Sequence, residues 1–272
     1  YKWVPIAYHG RASSVNISGQ EFKRPWGQIK AADQNIPSYQ PTSKLDFELE
    51  MGILIGTGNG LGETIQMEEA EAHIFGLCLL NDWSARDIQA WEYQPLGPFL
   101  AKSFASTISP WMITMEALAP FRTAYSRPIE DPEPLPHLTS RENSMNGGLD
   151  ISLEVGLQSR LMKQKNIAPQ SLARSNFSHS YWTAAQMVTH HASNGCNLRA
   201  GDLLGTGTQS GPALSEAGSM LELSQGGQVP IELHGGESRV FIEDSDTITM
   251  KAWCEKEGAR RIGFGSVDSR VV

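Results

Sequence analysis

The sequence predicts an α+β protein that is rich in β-strands. Short segments in which apolar and polar residues alternate recur along its 272 residues, and this period of two is typical of strands with one buried face. Segments with helical periodicity are fewer, and 26 glycines are spread through the chain. Many short strands and few helices favour an α+β or mostly-β sandwich or roll.

Four segments have the alternation expected of strands. Residues 46–53 and residues 151–157 each alternate apolar and polar side chains throughout. Residues 239–243 and 247–253 do the same and are separated by a short polar segment. We therefore predict that these last two strands form a hairpin.

Three helices are expected. The first spans residues 67–80 and has acidic side chains near its positive N-terminal end. The second spans residues 84–91, with its first residue, a serine, as the predicted cap. The third spans residues 180–192 and is followed by an Asn-Gly pair that is typical of helix ends.

The segment of residues 122–148 is polar and contains four prolines. This composition predicts a long surface loop. A domain boundary at this loop is the alternative, but candidate site residues lie on both sides of it. We therefore expect a single catalytic domain over residues 1–272.

Composition and charge restrict the class of partner. The formal net charge is −8 and the sequence has no Lys/Arg cluster, so a nucleic-acid partner is not expected. A small anionic substrate remains compatible, because a few local cations override the global field. The longest apolar runs, such as residues 74–80, are too short to span a membrane.

The three cysteines predict a reducing compartment. Cys78, Cys196 and Cys254 are odd in number and have no C-x-x-C spacing. Cys78 and Cys254 have apolar neighbours and are expected to be buried, reduced thiols, which suits the cytoplasm. No signal peptide is visible, and because the chain opens at Tyr1 without a methionine, we expect an upstream segment.

Two glutamates are the first candidates for a metal site. Glu48 and Glu50 are two apart on a predicted strand and therefore share one face. For the pair taken alone a solvated strand face is the favoured interpretation, because charged strand faces usually meet water. Asp82, at the end of an apolar run, favours a site, and three carboxylates without His or Cys suit Mg²⁺ or Ca²⁺ rather than Zn²⁺. The sequence alone does not bring Asp82 next to the glutamates.

Further polar side chains are candidates for acting on a substrate. Arg86 and Gln89 are three apart on a predicted helix, with Tyr93 close behind. Lys102 has apolar neighbours and needs a partner if it is buried. Glu222 lies in an alternating segment, where partial burial would suit acid–base chemistry. A surface ion pair for Arg86, a snorkelling Lys102 and a solvent-facing Glu222 remain alternatives.

Two other motifs point to structure or to ligand contact. Neighbouring His190 and His191 diverge by about 100° on a helix, so they favour a structural role over metal binding. The segment 205–208, Gly-Thr-Gly-Thr, lacks the lysine of a phosphate-binding loop but allows backbone to approach a small ligand. The sequence has neither a G-x-S-x-G nor an H-E-x-x-H motif.

Several of these motifs together resemble those of one enzyme family. They include Tyr-His-Gly-Arg-Ala-Ser at residues 8–13, Lys-Leu-Asp-Phe-Glu-Leu-Glu-Met at 44–51, the block 81–104, and residues 181–183, 189–191, 194–199, 201–204, 218–223 and 262–265. They are similar to the fumarylacetoacetase family over nearly the whole chain. The resemblance implies a mixed β-sandwich roll that forms a homodimer and holds Ca²⁺ or Mg²⁺.

The resemblance also implies roles for individual residues. The metal carboxylates would be Glu48, Glu50 and Asp82, and Ser106 holds the position of a second cation site where a threonine is usual. Oxyanion stabilisation would fall to Arg86, Gln89 and Lys102, and substrate contact to Tyr8, Gln89, Tyr93 and Thr208. Glu222 matches the carboxylate that orients the catalytic histidine.

The reaction implied is hydrolysis of a β-diketone: fumarylacetoacetate and water give fumarate and acetoacetate, the last step of tyrosine and phenylalanine catabolism. An acylpyruvate hydrolase, an oxaloacetate decarboxylase and a catalytically silent metal-binding module are the alternatives. The family's catalytic histidine, one metal aspartate and a small β-barrel domain would all precede Tyr8. We therefore expect residues 1–272 alone to bind metal weakly and hydrolyse poorly.

Overall fold

Short strands supply most of the regular structure, as predicted. The computed structural model describes residues 2–272. Its strands are β1 (Val15–Ile17), β2 (Gln20–Phe22), β3 (Trp26–Ile29), β4 (Ser38–Pro41), β5 (Leu45–Asp46), β6 (Leu49–Ile55), β7 (Ile74–Asp82), β8 (Ser84–Ala85), β9 (Ser106–Ile108), β10 (Ile113–Thr114), β11 (Arg122–Thr123), β12 (Gly148–Leu149), β13 (Ser152–Gln158), β14 (Gln170–Asn176), β15 (Leu203–Gly205), β16 (Ile231–Glu232), β17 (Ser238–Arg239), β18 (Thr247–Cys254) and β19 (Ile262–Val271).

Two mixed sheets form the body of the fold. The first has the order β1-β9-β7-β6-β15, with β10 also paired to β7. The second has the order β14-β13-β18-β19-β2. Most neighbours are antiparallel, whereas β1 with β9 and β2 with β19 are parallel. Strands β7 and β9 of the first sheet contact β18 and β19 of the second, so the core lies between them.

The alternating pattern positions the core side chains. In β18, Ile248, Met250, Ala252 and Cys254 are buried and alternate with more exposed residues. Phe47, Leu49 and Met51 are likewise buried, as the alternation predicts. Each such large apolar side chain contributes about 1.5–3 kcal/mol when it leaves water.

The helices are short and few. They are α1 (Arg86–Glu92), α2 (Met115–Leu118), α3 (Arg141–Asn146), α4 (Arg160–Gln164), α5 (Ala184–Ala192) and α6 (Met220–Leu223), with 3₁₀ turns at Ala12–Ser14, Ala70–His73, Ala119–Phe121, Pro136–Leu138, Phe177–His179 and Leu214–Glu216. No helix within residues 2–272 has the length and apolar character needed to cross a bilayer.

The helix predicted over residues 67–80 is wrong. Only a 3₁₀ turn at Ala70–His73 is helical, and residues 74–82 form the central strand β7. This strand pairs with β6, β9 and β10 and is buried almost throughout. A strand covered on both faces has a continuous apolar run, which has the same composition as a buried helix.

The predicted hairpin of residues 239–243 and 247–253 is also wrong. β17 pairs with β16, and β18 pairs with β13 and β19. The buried carboxylate of Asp246 accepts hydrogen bonds from Arg239 and from the backbone N–H of Glu243, which closes the connection as a turn. Alternation identifies a strand but does not choose its partner.

Three further predictions need adjusted boundaries. The strand predicted at 46–53 is interrupted after Asp46 and resumes at Leu49. The second helix begins at Arg86, and its predicted cap Ser84 lies instead in β8. The third begins at Ala184, where Thr183 and Gln186 form a capping box. Residues 122–148 are mostly irregular, as predicted, but contain β11, α3 and the start of β12.

Candidate metal centre and active site

Three carboxylates converge where β6 and β7 meet. Glu48 lies in the break between β5 and β6, Glu50 lies in β6, and Asp82 ends β7. One oxygen from each lies within 4.8 Å of the others. The predicted convergence is therefore present, although only Glu50 lies on a regular strand beside Asp82.

Two cations face these carboxylates from neighbouring elements. The buried ammonium of Lys102 donates to Glu48 and to Asp82, the latter at 3.0 Å. Arg86, at the start of α1, donates from Nη1 to Glu48 at 2.6 Å. The prediction that a buried Lys102 needs a partner is confirmed, and both cations are paired with the acidic centre.

The loop that carries Lys102 is fixed by a carboxylate of α1. Glu92 accepts hydrogen bonds from the backbone N–H groups of Phe99, Leu100 and Ala101 at 2.7–3.2 Å. The helix that presents Arg86 therefore also anchors the loop that presents the lysine. Such bonds reduce the number of positions that the ammonium can take.

Two groups complete the wall around the carboxylates. The Tyr8 hydroxyl donates to Asp82, and the Lys102 ammonium lies 5.8 Å from the centre of the Tyr8 ring. The backbone N–H of Gly207 donates to Glu50 at 3.0 Å. The glycine-rich backbone of residues 205–208 thus contacts a carboxylate of the centre, and its predicted approach to a small ligand stays a prediction.

Burial and neighbouring charges shift the ionisation of each group. Burial raises the pKa of Glu50 well above its ordinary value, and Asp82 and Glu48 raise it further. Burial also raises the pKa of Asp82, against the opposing effect of Lys102. Burial alone would raise the pKa of Glu48, but Lys102 and Arg86 bring it below the ordinary value. The same carboxylates raise the pKa of Lys102 although burial lowers it.

The donor set fits a hard divalent cation. The buried Oδ1 of Asp82 has no hydrogen-bond partner among the described residues. Within residues 2–272, the carboxylates of Asp46, Glu48, Glu50 and Asp82 have two cationic hydrogen-bond partners, Arg86 and Lys102, so two negative charges are uncompensated there when all four are ionised. An all-oxygen set with a deficit of two charges matches Mg²⁺, Ca²⁺ or Mn²⁺.

Ser106 is placed beside this donor set. It begins β9 and lies opposite Asp82 in the strand register. Its side chain is half-buried. The resemblance implies a second cation site at this position, and its occupancy stays a prediction.

The comparisons with known proteins agree with this arrangement. Residues 2–272 match the family model described as fumarylacetoacetate (FAA) hydrolase C-terminal. The chain belongs to this family.

Curated relatives are similar to this chain over nearly its whole length. The fumarylacetoacetase of Homo sapiens is 49% identical over 269 residues, which are 99% of this chain and 62% of the relative. That of Dictyostelium discoideum is 50% identical over 276 residues, with the same two shares. The chain thus spans about 62% of the length of these relatives.

Solved structures share the fold. Fumarylpyruvate hydrolase from Pseudomonas aeruginosa, crystallised with Mn²⁺ and pyruvate, superposes with a TM-score of 0.51 at 17% identity, over 95% of this chain and 73% of its own. Fumarylacetoacetate hydrolase from Exiguobacterium antarcticum superposes with a TM-score of 0.50 at 19% identity, over 95% of this chain and 63% of its own. At these identities the likeness concerns the fold alone.

The residues for which the resemblance implies substrate contact differ in their depth of burial. The side-chain oxygen of Gln89 accepts from Arg86 Nη1 at 3.3 Å. Tyr93 is exposed at the end of α1, and Thr208 is half-buried next to Gly207. Their contact with a substrate stays a prediction.

Glu222 differs from expectation in this domain. It lies in helix α6 rather than in a strand, because Ser219 caps a helical turn there. Its side chain is exposed, not semi-buried, and accepts hydrogen bonds from the hydroxyls of Ser210 and Ser219 at 2.9 and 2.8 Å. The alternation of residues 219–223 therefore reflects the two faces of a short helix.

One charged residue of the domain was missed. Asp46 is fully buried and binds Arg86 Nε at 2.8 Å. On the continuous strand that the sequence predicts over residues 46–53, Asp46 would share one face with Glu48 and Glu50. Extending that argument by two residues would have found it.

A cavity of about 370 Å³ adjoins the centre. Gly205, Thr206 and Gly207 form the wall that it shares with Glu50, and Ala7 lines it next to Tyr8. The rest of its lining is mainly apolar and includes Trp182 and His191. The rings of His190 and His191 lie 5.2 Å apart, edge to face. The structural role of the pair stays a prediction.

Proposed function

We propose that this domain forms the metal-dependent centre of a hydrolase that cleaves a carbon–carbon bond in a β-diketone. The substrate proposed is fumarylacetoacetate, and the products are fumarate and acetoacetate, the last step of tyrosine and phenylalanine catabolism. The observation that carries the proposal is the convergence of three carboxylates with two paired cations at their rim. The names of the curated relatives, at 49–50% identity, support the choice of substrate.

The residues of the chain suit a reaction in which negative charge develops on oxygen. Water adds to one substrate carbonyl, the adjacent carbon–carbon bond breaks, and the electron pair leaves as the enolate of acetoacetate, which takes up a proton. Arg86, Gln89 and Lys102 would donate hydrogen bonds to the developing oxyanions, a contribution that is strongest in a dry site. Lys102 is suited to this because its neighbours keep it protonated.

A divalent cation would be held by Glu48, Glu50 and Asp82 and would supply Lewis-acid polarisation of the carbonyls. Mg²⁺ and Ca²⁺ are the proposed ions, since all donors are oxygen atoms. Tyr8 would fix the orientation of Asp82 and contact the substrate. Glu222 would orient the histidine that accepts the proton of water, as the family resemblance implies.

We also propose that the protein works as a cytoplasmic homodimer. Cys78, Cys196 and Cys254 are unpaired thiols, which suits a reducing compartment. Exposed aromatic side chains, Trp26 and Tyr39 among them, offer apolar surface for a second copy.

The function is tested by following the loss of the diketone absorbance with added Mg²⁺ or Ca²⁺, using the full-length protein, which supplies the histidine expected upstream of Tyr8. Lys102→Met should lower kcat/KM by about 10²–10³-fold, as expected when an oxyanion donor is lost. Lys251→Met removes an exposed lysine of β18 and should leave the rate unchanged. Equal rates for both variants, or no metal-dependent hydrolysis by the unaltered protein, would contradict the proposal.

A further inference from the structure

The carboxylate of Asp46 accepts four hydrogen bonds, two at each oxygen. Its Oδ1 accepts from the backbone N–H groups of Phe47 at 2.8 Å and Met220 at 2.7 Å. Its Oδ2 accepts from the N–H of Leu221 at 3.0 Å and from Arg86 Nε at 2.8 Å. The side chain is fully buried, so these four donors replace its hydration.

These contacts fix the plane of the Arg86 guanidinium. Nε is bound to Asp46, and Nη1 is bound to Glu48 at 2.6 Å and to Gln89 at 3.3 Å. The hydrogen bonds that Arg86 makes within the described residues therefore use Nε and Nη1, which leaves Nη2 for a ligand. A rigid planar group held on one edge presents its other edge in a single direction.

The same carboxylate also fixes the start of α6. Met220 and Leu221 are the first two residues of this helix, and their N–H groups point at Asp46. Glu222 is the next residue. One buried carboxylate thus joins the guanidinium on α1 to the helix that carries Glu222.

We propose that Asp46 is a positioning residue of the active centre. It holds Arg86 and helix α6 in fixed positions relative to the metal carboxylates. Asp46 itself touches no substrate, because its oxygens are occupied. The kinetic part of this inference rests on the proposed function. Misplacing a catalytic group by about 1 Å costs about 10²-fold in rate, so a residue that acts only through others still controls turnover.

A buried ion pair elsewhere in the chain provides the matched control. Asp246 is also fully buried and accepts from Arg239 at 2.9 and 3.1 Å and from the N–H of Glu243. None of these bonds reaches the acidic centre. Asp46→Asn and Asp246→Asn therefore make the same chemical change in the same kind of setting, and a purely structural role predicts similar consequences for both.

The first experiment compares turnover in the two variants of the whole protein. Asp46→Asn should lower kcat by about 10²-fold with little change in KM, because the oxyanion donor is misplaced while the other contacts persist. Asp246→Asn should retain the kcat of the folded fraction. Equal losses in the two variants, or an unchanged kcat in Asp46→Asn, would overturn the assignment.

A spectroscopic readout separates this inference from the proposed function. In protein labelled with ¹⁵N-arginine, the Nε–H signal of Arg86 should exchange slowly with water, and Asp46→Asn should remove that protection while the Arg239 signal stays as an internal reference. An Arg86 signal unaffected by Asp46→Asn would overturn the inference. If the unaltered protein hydrolyses no diketone, the proposed function fails, and this signal still decides whether Asp46 fixes Arg86.

A second variant covers the case in which Asp46→Asn does not fold. Arg86→Ala leaves Asp46 and its backbone donors in place and creates a cavity in which a free guanidinium ion can bind Asp46. Added guanidinium at low millimolar concentration should restore a measurable part of kcat, or of acetoacetate binding if no turnover exists, whereas neutral urea of the same shape should not. Equal effects of guanidinium and urea would contradict the proposal that the Asp46 carboxylate fixes the position of the guanidinium group.

Discussion

At the residue scale, the acidic centre shows how neighbours determine the ionisation of chemically identical groups. Glu48 and Glu50 are two residues apart and both are shielded from solvent. Burial alone would raise the pKa of Glu48, but the hydrogen bonds and positive charges of Lys102 and Arg86 lower it. Glu50 faces mainly other carboxylates after burial has raised its pKa, so its proton is held more tightly. A divalent cation would supply the positive charge that Glu50 lacks.

Thiol labelling tests burial at single residues. Burial raises the pKa of the Cys78 thiol to about 12 and that of Cys254 to about 12, whereas Cys196 is exposed. Because the thiolate is the reactive form, we expect one thiol per folded chain to react with an aromatic disulfide reagent at pH 8, and three in denaturant. Cys196→Ser should abolish the native reaction. Two or more fast-reacting thiols in the folded chain would contradict the burial of Cys78 and Cys254.

Glu222 lies in a helix and is exposed, which differs from the placement expected for it. Two serine hydroxyls donate to one oxygen of this exposed carboxylate, so the carboxylate can still accept a hydrogen bond from a further group, such as the histidine that the resemblance implies. Glu222→Gln keeps the shape and removes the charge, so we expect kcat to fall by about 10²-fold, at the low end of acid–base effects, with KM nearly unchanged. Steady-state kinetics checks this, with the exposed Glu116→Gln as control. An unaltered kcat would remove Glu222 from the mechanism.

At the element scale, the close approach of β15 to β6 shapes the carboxylate site. β15 pairs antiparallel with β6, and Gly205 lies opposite Gly52. A Cβ at Gly205 would lie 2.8 Å from Glu50 Oε2 and 3.1 Å from Leu80 Cδ2. The strand can approach this closely only because position 205 has no side chain.

Gly205→Ala should therefore weaken cation binding more than it weakens the fold. The added methyl displaces the Glu50 carboxylate, and we expect the Kd for Mn²⁺ to rise about tenfold, as for changes that disturb the support of a metal ligand. Gly263→Ala, in β19, is the matched control, because its Cβ would meet only a backbone oxygen at 3.8 Å. Titration calorimetry measures both, and identical affinities would show that the Glu50 position tolerates the methyl group.

At the scale of the whole molecule, the cation should be a stabilising ligand. The three carboxylates come from β6, β7 and the link before β6, so an ion between them ties together the centre of the first sheet. The uncompensated charge among these groups opposes folding when they are ionised. Binding to the folded state alone therefore relieves a cost that the unfolded chain does not have.

Thermal unfolding with and without metal tests this expectation. At a cation concentration of about 100 times Kd the gain is about 2.7 kcal/mol, and for a chain of this size each kcal/mol raises Tm by about 2–4 °C. We therefore expect Mg²⁺, Ca²⁺ or Mn²⁺ to raise Tm by roughly 5–10 °C, with EDTA reversing the effect. Glu50→Gln should abolish the rise without lowering the metal-free Tm, because it also removes a repulsive charge. A rise that survives in Glu50→Gln would place the ion elsewhere.

Several properties of this protein follow from its sequence alone. Alternation along residues 46–53, 151–157 and 247–253 predicts strand-rich structure, because a period of two buries one face of a strand regardless of its partner. The apolar neighbours of Cys78 and Cys254 predict their burial in the same way. The set Glu48, Glu50 and Asp82, with its motif resemblance, predicts an oxygen-ligated cation site.

Only the tertiary structure decides which elements meet. The pairing of β18 with β13 and β19, the burial of residues 74–82 on both faces, and the exposure of Glu222 depend on segments far apart in the chain. Asp46 binds α6, more than 170 positions away, and no local pattern contains that contact. Local sequence sets which face of an element is apolar, whereas long-range packing sets which groups lose water and which charges then compensate them.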